Sequence, residues 1–350
     1  MALAAAVLFG LSTPLAKGML ADVSPQLLGG LFYLGSGLGL SILVQGRKAG
    51  SARAPSLSRR DALWLGGAIL CGGVLAPPLQ LLGIQRTPGS TASLLLNLES
   101  VFTALLAWIA FGEHVNRRTA LGMLLITCGG IALSWTGAVE RRGLLGGAAI
   151  AGACALWGLD NNLTQKVSGQ DATWIALIKG LVAGIVNCTI ALLAGARVPS
   201  LPLIARALAI GFFSYGLSLV LFVRALRSLG TARTGAYFSL APFVGAAIGL
   251  VAWSEPLTVQ LALAAALMGC GLWLNLTERH AHSHAHALLD HGHEHVHDEH
   301  HQHAHAPGDP PGEPHTHTHH HDALTHSHAH FPDLHHRHDH EAASDKDTGA

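Results

Sequence analysis

The stretch from Leu95 to Val115, LLNLESVFTALLAWIAFGEHV, decides how the rest of the chain is interpreted. It is an apolar run of membrane-spanning length with one carboxylate inside it, Glu99, and a second, Glu113, where the run ends. A charge near the centre of a bilayer is costly, so an acid kept there is a candidate functional residue. An unpaired carboxylate in such a place also favours its protonated form, which suits proton coupling or the binding of a cation.

The same stretch recurs 142 residues later as YFSLAPFVGAAIGLVAWSEPL, from Tyr237 to Leu257. At this spacing Glu113 aligns with Glu255, whereas Glu99 aligns with Ala241. The acid that both copies share is interpreted as structural, and the acid that only one copy carries becomes the main functional candidate.

Two compositions are joined in this chain of 350 residues, half of which are hydrophobic. Residues 1–279 hold 19 Lys and Arg against 9 Asp and Glu, whereas residues 280–350 hold 2 against 12. Twenty-four of the 25 histidines lie at or after His280. These values are typical of a multi-pass membrane protein with a separate polar tail. The five cysteines lie in apolar runs without CxxC spacing, which argues against a zinc site or a disulfide framework there.

Ten apolar runs have about the length at which a helix spans the hydrocarbon, so the predicted fold is an all-α integral membrane protein with ten transmembrane helices. The runs are 2–20, 27–45, 61–83, 90–111, 118–136, 144–165, 172–194, 203–226, 231–253 and 257–276. The loops after the even-numbered helices, together with the segment after the tenth, carry eleven Lys and Arg, against six in the opposite loops. Because cytoplasmic loops are enriched in both residues, we expect both termini to be cytoplasmic and the protein to lie in the inner membrane.

The repeat extends to most of the membrane part. LFGLSTPLAK near the N-terminus aligns with LWGLDNNLTQ at a spacing of 148, and ALGMLLITCGGIAL aligns with ALAAALMGCGLWLN at 142. Two halves of five helices are therefore predicted, at 1–136 and 137–279. Since five is odd, the second half enters the membrane in the opposite sense, and such inverted repeats are used by many secondary transporters with a substrate site between the halves.

Two motifs recur in this chain: FG or WG near the start of a helix, and GE or SE at the end of a helix that precedes a Gly/Ala-rich helix. With these motifs the chain resembles the drug/metabolite transporter superfamily, specifically the ten-helix EamA-type permeases with two repeated domains. The resemblance covers residues 1 to about 277. It implies a permease that exports a small organic metabolite, often an amino acid, a base or a toxic analogue, driven by an ion or substrate gradient.

Besides Glu99, the polar group Asp160, Asn161 and Asn162 is a candidate for the transport path, because it aligns with Ser12, Thr13 and Pro14 on the other side of the expected pseudo-two-fold axis. Two structural alternatives stay open. Glu99 could form an ion pair with Lys179 or Arg224, and the polar group could be the end of its helix emerging into water near Lys166.

Further candidates for the path are single polar residues within apolar runs, each of which could instead satisfy an interhelical hydrogen bond. Asn97 precedes Glu99 by two residues, so a regular helix would place it on a different face. The further candidates are Lys179, Arg224, Asn187, Tyr33 and Tyr215.

The tail from residue 280 to 350 has too few large apolar residues to bury a core, so disorder is expected. Imidazoles bind zinc, nickel, cobalt and copper, and the HxH repeats offer many interchangeable partial sites. The metal-binding candidates are His282, His284, His286, His291, His293, His295, His297, His317, His319 and His321.

Three roles for the tail remain open: a metal buffer or sensor that gates the permease, a feed of metal to a transport path, and a charge switch as the histidines protonate near pH 6.5. The leading hypothesis is export of an organic solute with no required cofactor, and the alternative is a Zn, Ni or Co exporter. The expected partners are the lipid bilayer, a small-molecule substrate and transition-metal ions at the tail, with no nucleic acid. No nucleophile, metal triad or phosphate loop is evident in the membrane part, so an enzyme is not expected.

Overall fold

The computed structural model describes residues 1–45, 58–111, 117–134, 141–167, 171–222, 224–225 and 237–277, and the backbone of 281–286, 289–295, 315–321 and 324–329. The chain divides into two compact units, Met1–Glu278 and Arg279–Ala350.

The first unit is helical throughout its described residues, apart from short turns. Its first half contains α1 (Ala2–Gly10), α2 (Ser12–Met19), α3 (Pro25–Gln45), α4 (Arg59–Ala68), α5 (Ala76–Arg86), α6 (Gly89–Leu95), α7 (Leu98–Phe111) and α8 (Arg117–Ser134). Its second half contains α9 (Arg141–Gln165), α10 (Ala172–Leu193), α11 (Leu201–Ile210), α12 (Ala241–Ala252) and α13 (Val259–Leu276).

Eight helical stretches in the described residues are long and apolar enough to cross a membrane. They correspond to eight of the ten predicted runs. The fifth run is α8, which begins with Arg117 and Arg118 and is not among the eight, and the ninth is described only from residue 237, with α12 as a shorter apolar helix. The chain is therefore a multi-pass helical membrane protein, and the count of ten spans stays a prediction.

Two spans contain a π-helical segment, in which backbone hydrogen bonds reach one residue further than in an α-helix. The segments are Ile69–Leu75, between α4 and α5, and Gly211–Leu217, after α11. They begin and end 142 positions apart, which is the spacing of the sequence repeat. Segments of this kind are frequent at functional sites, and neither was predicted from the sequence.

The fourth span is broken between α6 and α7. Around Leu96 and Asn97 the backbone N–H groups bond carbonyls only three residues earlier, and the Asn97 amide donates to the Leu94 carbonyl at 3.0 Å. The break leaves Glu99 in the first turn of α7, where the helix dipole favours a negative charge. Broken helices are tolerated at membrane depth where they line a cavity.

Small residues allow the closest helix contacts. Helices α3 and α10 cross where Gly37 abuts the backbone of Gly180, and α8 and α13 cross where Gly122 abuts the backbone of Gly271. A Cβ at any of these four glycines would overlap the facing helix. Close approach through small residues is how membrane helices gain packing energy when burial from water contributes little.

The second unit contains four short strands in the histidine-rich tail, where the sequence led us to expect disorder. Strand β1 (Ala281–His286) pairs antiparallel with β4 (Leu324–Ala329), and β2 (Leu289–His295) pairs antiparallel with β3 (His315–His321). The expectation rested on the absence of a hydrophobic core. It overlooked the alternation in HAHSHAH and HTHTHHH, which has the period of two of a strand.

Candidate functional site

Glu99 and Asn161 form the polar centre of the membrane part. The Asn161 side-chain amide donates to Oε1 of Glu99 at 2.9 Å and to the Thr103 hydroxyl at 3.2 Å. The Thr103 hydroxyl in turn donates to the Glu99 carbonyl at 2.8 Å. A side chain from α9 in the second half therefore reaches the acid at the broken helix of the first half.

Asn162 and Asp160, the neighbours of Asn161, are buried, with 4% and 6% of their surface exposed. Asn162 donates to the carbonyls of Thr103 and Gly158, at 3.1 and 2.8 Å. Against the alternative that this polar group is a helix end emerging into water, α9 continues past it to Gln165 and two of its three side chains are buried.

A cavity of about 530 Å³ opens beside Glu99. Its polar wall contains Asn97, Glu99, Ser100, Thr103, Asn161, Asn162 and Ser239, and its apolar wall contains Phe9, Leu96, Ala104, Ala107, Phe238, Ala241, Pro242 and Leu272. Asn97 lies on the same cavity as Glu99, although the sequence placed it on another face. The helix breaks between these two residues, so the regular rotation of 100° per residue does not apply across them.

Asp160 and Lys179 form an ion pair between α9 and α10. The ammonium of Lys179 contacts both carboxylate oxygens, at 2.5 and 2.8 Å, and the Thr164 hydroxyl at 3.2 Å. Thr164 also donates to Asp160 at 2.9 Å. Both charged side chains are largely buried, with exposures of 8% and 16%. The hypothesis that Lys179 is the ion-pair partner of Glu99 is therefore wrong, because its ammonium is held by Asp160.

The backbone of the first π segment packs directly against the Asp160 carboxylate of this ion pair. The carbonyl of Gly72 accepts hydrogen bonds from the Tyr33 hydroxyl at 2.8 Å and from the Trp157 indole at 2.9 Å. A Cβ at Gly72 would overlap the carboxylate of Asp160. Glycine is required here because the backbone and the buried acid approach so closely.

The sequence explains why the Gly72 carbonyl has no hydrogen-bond donor within its own helix. The N–H of Ala76 is bonded to Cys71, and the next two residues, Pro77 and Pro78, have no N–H to offer. The Gly72 carbonyl is therefore available to Tyr33 and Trp157.

Asn187 satisfies the neighbouring carbonyl. Its amide donates to Gly73 at 2.8 Å, and its own carbonyl accepts from Gln26 at 2.6 Å. Asn187 was predicted to line the transport path, but it is fully buried between helices and is not part of either cavity wall. Its contacts are those of a structural hydrogen bond.

A second cavity of about 320 Å³ adjoins the first and shares Phe9, Asn161 and Phe238 with it. Its wall includes the two candidates Tyr33 and Tyr215, whose rings lie 5.6 Å apart. Lys179, Thr164 and the second π segment, through Ser214 and Tyr215, complete the polar part. The two cavities thus form one region with an acidic lobe at Glu99 and an aromatic lobe at the ion pair.

Two charged side chains hold the turn between α5 and α6. The backbone N–H groups of Gly89 and Ser90 donate to the Glu255 carboxylate at 2.6 and 2.8 Å. On the other side of the turn, Lys17 donates to the carbonyls of Thr87 and Ile84. Glu255 therefore serves as a cap of α6, which agrees with its expected structural role.

Several other candidates lie away from the cavities or outside the described residues. Arg224 is exposed near the end of the eighth run and is not part of either cavity wall. Glu113 and His297 lie outside the described residues, and of the other metal-binding histidines only the backbone is described. Among the side chains that the structure describes, no group of three or more His, Cys, Asp or Glu is placed to hold a metal ion.

Sequence reasoning missed Thr103, Thr164 and Gly72. Thr103 and Asn161 are more than fifty positions apart in the sequence, and no local sequence pattern predicts that they are in contact. The glycine pair Gly72 and Gly73 did carry a signal, since Pro77 and Pro78 follow Gly73 by four and five residues and have no N–H to donate to these carbonyls.

Comparison with known proteins gives consistent matches. A model of the EamA-like transporter family matches residues 1–135 and 144–277. An uncharacterized transporter of Methanothermobacter thermautotrophicus is 29% identical over 286 residues, which cover 77% of this chain and 83% of that protein. The uncharacterized transporter YvbV of Bacillus subtilis is 23% identical over 263 residues, covering 73% and 83%. A solved crystal structure is 18% identical with a TM-score of 0.57, covering 77% of this chain and 93% of that one, and shows a similar fold.

Proposed function

The chain belongs to the EamA-like transporter family, as its sequence motifs predicted, and we propose that it is a secondary transporter that exports a small organic metabolite or toxic analogue across the cytoplasmic membrane. The substrate binds in the cavity beside Glu99, and the aromatic lobe next to it takes the apolar part of the solute. Membership in this family supports a membrane permease, and the cavity supports the more specific assignment.

The observation that carries the proposal is the contact between Glu99 and Asn161 at 2.9 Å inside a cavity of about 530 Å³. Cavities that bind small molecules have volumes of about 300–1,000 Å³ and mostly apolar walls with a few placed polar groups. The contact joins the two halves of the chain, which is where the sites of transporters with internal repeats lie.

The contacts also support an inverted repeat. At the 142-residue spacing Gly122 corresponds to Ala264, and Gly129 corresponds to Gly271. Gly122 abuts the backbone of Gly271, and Gly129 abuts that of Ala264, so the repeat operation converts one contact into the other. A pseudo-two-fold axis has this property. The matching positions of the two π segments support the same relation.

The two ends of the membrane unit differ in a way that fits alternating access. The cavity wall extends to Ala107 and Leu272, near the ends of α7 and α13 that we expect to be cytoplasmic. At the opposite end, Glu255 and Lys17 hold the turn between α5 and α6. With the orientation expected from the loops, these contacts support a state open to the cytoplasm, in which Glu255 and Lys17 close the outer side.

A thermal-shift screen of the detergent-purified chain against small metabolites, toxic analogues and divalent metals tests the binding site. A solute at a hundredfold excess over its Kd stabilises the protein by about 2.7 kcal/mol. We expect an organic solute to stabilise the wild type and to lose this effect in Asn161→Ala. A solute that stabilises both proteins equally would place the site elsewhere, and stabilisation of a chain lacking residues 280–350 by zinc alone would favour the metal-exporter alternative.

A further inference from the structure

The backbone register of the tail brings its histidines into rows. In the β2–β3 ladder His291 pairs with His319, His293 with His317, and His295 with His315. Residues two apart on a strand share a face, as do directly paired residues on neighbouring strands. All six of these histidines therefore occupy one face of the ladder.

The β1–β4 ladder repeats the pattern on a smaller scale. His282 pairs with His328, His284 with His326 and His286 with Leu324, so five histidines share a face. On the opposite face of β2–β3, the position of Asp290 is paired with that of His320, and Glu294 with Thr316. The histidines are thus concentrated on one face of each ladder.

This spacing is suited to a transition-metal ion. Directly opposite residues in an antiparallel pair have Cβ atoms about 4.5–5.5 Å apart. Two neighbouring cross-strand pairs provide four imidazoles, the coordination number that zinc takes in structural sites, and nickel, cobalt and copper(II) also prefer imidazole ligands.

A two-stranded ribbon of this composition would be stabilised by such a ligand. An isolated hairpin is marginally stable in water at best, and alternating His with Ala, Ser or Thr supplies almost no hydrophobic burial. A metal ion that binds only the paired form adds its binding free energy to the folding of the ribbon.

We propose that the β2–β3 ladder is a defined transition-metal site, built from His291, His293, His317 and His319, and that metal binding folds the histidine-rich segment into the ribbon. These histidines are therefore not interchangeable with the other histidines of the tail. The proposal does not depend on which solute the membrane part transports.

Zinc titration of the full-length purified chain, in competition with a chromophoric zinc probe, tests the proposal. The test variant carries His291→Asn, His293→Asn, His317→Asn and His319→Asn. The matched control loses the same number of histidines beyond the strands, through His335→Asn, His336→Asn, His338→Asn and His340→Asn. We expect the tightest zinc affinity to fall at least about tenfold in the test variant and to be unchanged in the control.

Peptide-resolved hydrogen exchange supplies a second measurement. Zinc should protect residues 289–295 and 315–321 in the wild type and in the control, and should fail to protect them in the test variant. Equal loss of affinity in both quadruple variants, or tight zinc binding without protection of these two segments, would show that the histidines act as a diffuse and interchangeable set.

Discussion

Asn161 donates its side-chain amide to Glu99 across 2.9 Å, and this hydrogen bond links the two halves of the chain within the cavity. Glu99 has no acidic counterpart in the second half, because Ala241 occupies the equivalent position. The helices are repeated in the two halves, but the acidic residue at the polar centre is present in the first half alone. This asymmetry gives a single acid to one central cavity, which suits a site that binds one solute or one proton at a time.

Breaking the ion pair between Asp160 and Lys179 should destabilise the membrane part. Removing one partner leaves a buried charge uncompensated, at a cost of about 3–5 kcal/mol. We therefore expect Asp160→Asn and Lys179→Met each to lower the Tm of the purified chain, and the double variant to recover much of the loss. Strictly additive effects of the two substitutions would contradict a direct ion pair.

Gly72→Ala should also be destabilising, because the added Cβ would overlap the Asp160 carboxylate. Overpacking of this kind costs about 1–3 kcal/mol. Gly66→Ala, in the same span, is the matched control, since its Cβ meets nothing within 4 Å, and it should be neutral or stabilising by up to about 1 kcal/mol. Thermal unfolding of the two variants distinguishes them, and equal effects would show that Gly72 is not tightly packed against Asp160.

A covalent cross-link between Ser90 and Glu255, at the end of the membrane unit that we propose to be closed, should stop transport. Ser90 and Glu255 belong to different halves, and their side-chain oxygens lie 2.5 Å apart. With the five native cysteines replaced, a disulfide between Ser90→Cys and Glu255→Cys should abolish flux, and a reductant should restore it to the level of the reduced double variant. Flux that is unchanged by oxidation, with the cross-link verified by mass spectrometry, would show that this end does not open during transport.

Deletion of the tail, residues 280–350, distinguishes zinc binding by the tail from solute transport through the cavity. A chain that ends at residue 279 should retain basal solute flux, because every residue of both cavities precedes that position. The same chain should lose the tight zinc binding of the full-length protein. Loss of solute flux on truncation, with normal expression, would show that the tail participates in the transport path.

Much of the fold could be predicted from the sequence because bilayer thickness imposes the length of each helix. The 142-residue repeat was also visible, as the alignment of Glu113 with Glu255 shows. The π segments and the break before Glu99 were not predicted, since they depend on which carbonyls find partners on other helices. Pro77 and Pro78 gave a local sign of the first π segment alone.

The sequence predicted which residues belong to the candidate site, but it did not predict which of them are in contact. An acid or a lysine inside an apolar run is conspicuous in any sequence, so Glu99, Asp160 and Lys179 could be found. Which acid the lysine contacts depends on helix packing, and the structure pairs Lys179 with Asp160 at 2.5 Å. Asn187 was assigned to the path by the same reasoning, but it satisfies the Gly73 carbonyl.

Solute flux in proteoliposomes, measured for wild type, Glu99→Gln and Asp171→Asn, tests the role of Glu99 most directly. Asp171 is a matched acidic control, because it caps α10 through the N–H groups of Thr173 and Trp174, and Asn is an equally good cap. We predict that Glu99→Gln lowers flux at least about tenfold, as expected when an interaction worth 1.4 kcal/mol or more is lost, while Asp171→Asn transports at the wild-type rate. Wild-type flux in Glu99→Gln at every pH would contradict the assignment of Glu99 to the transport site.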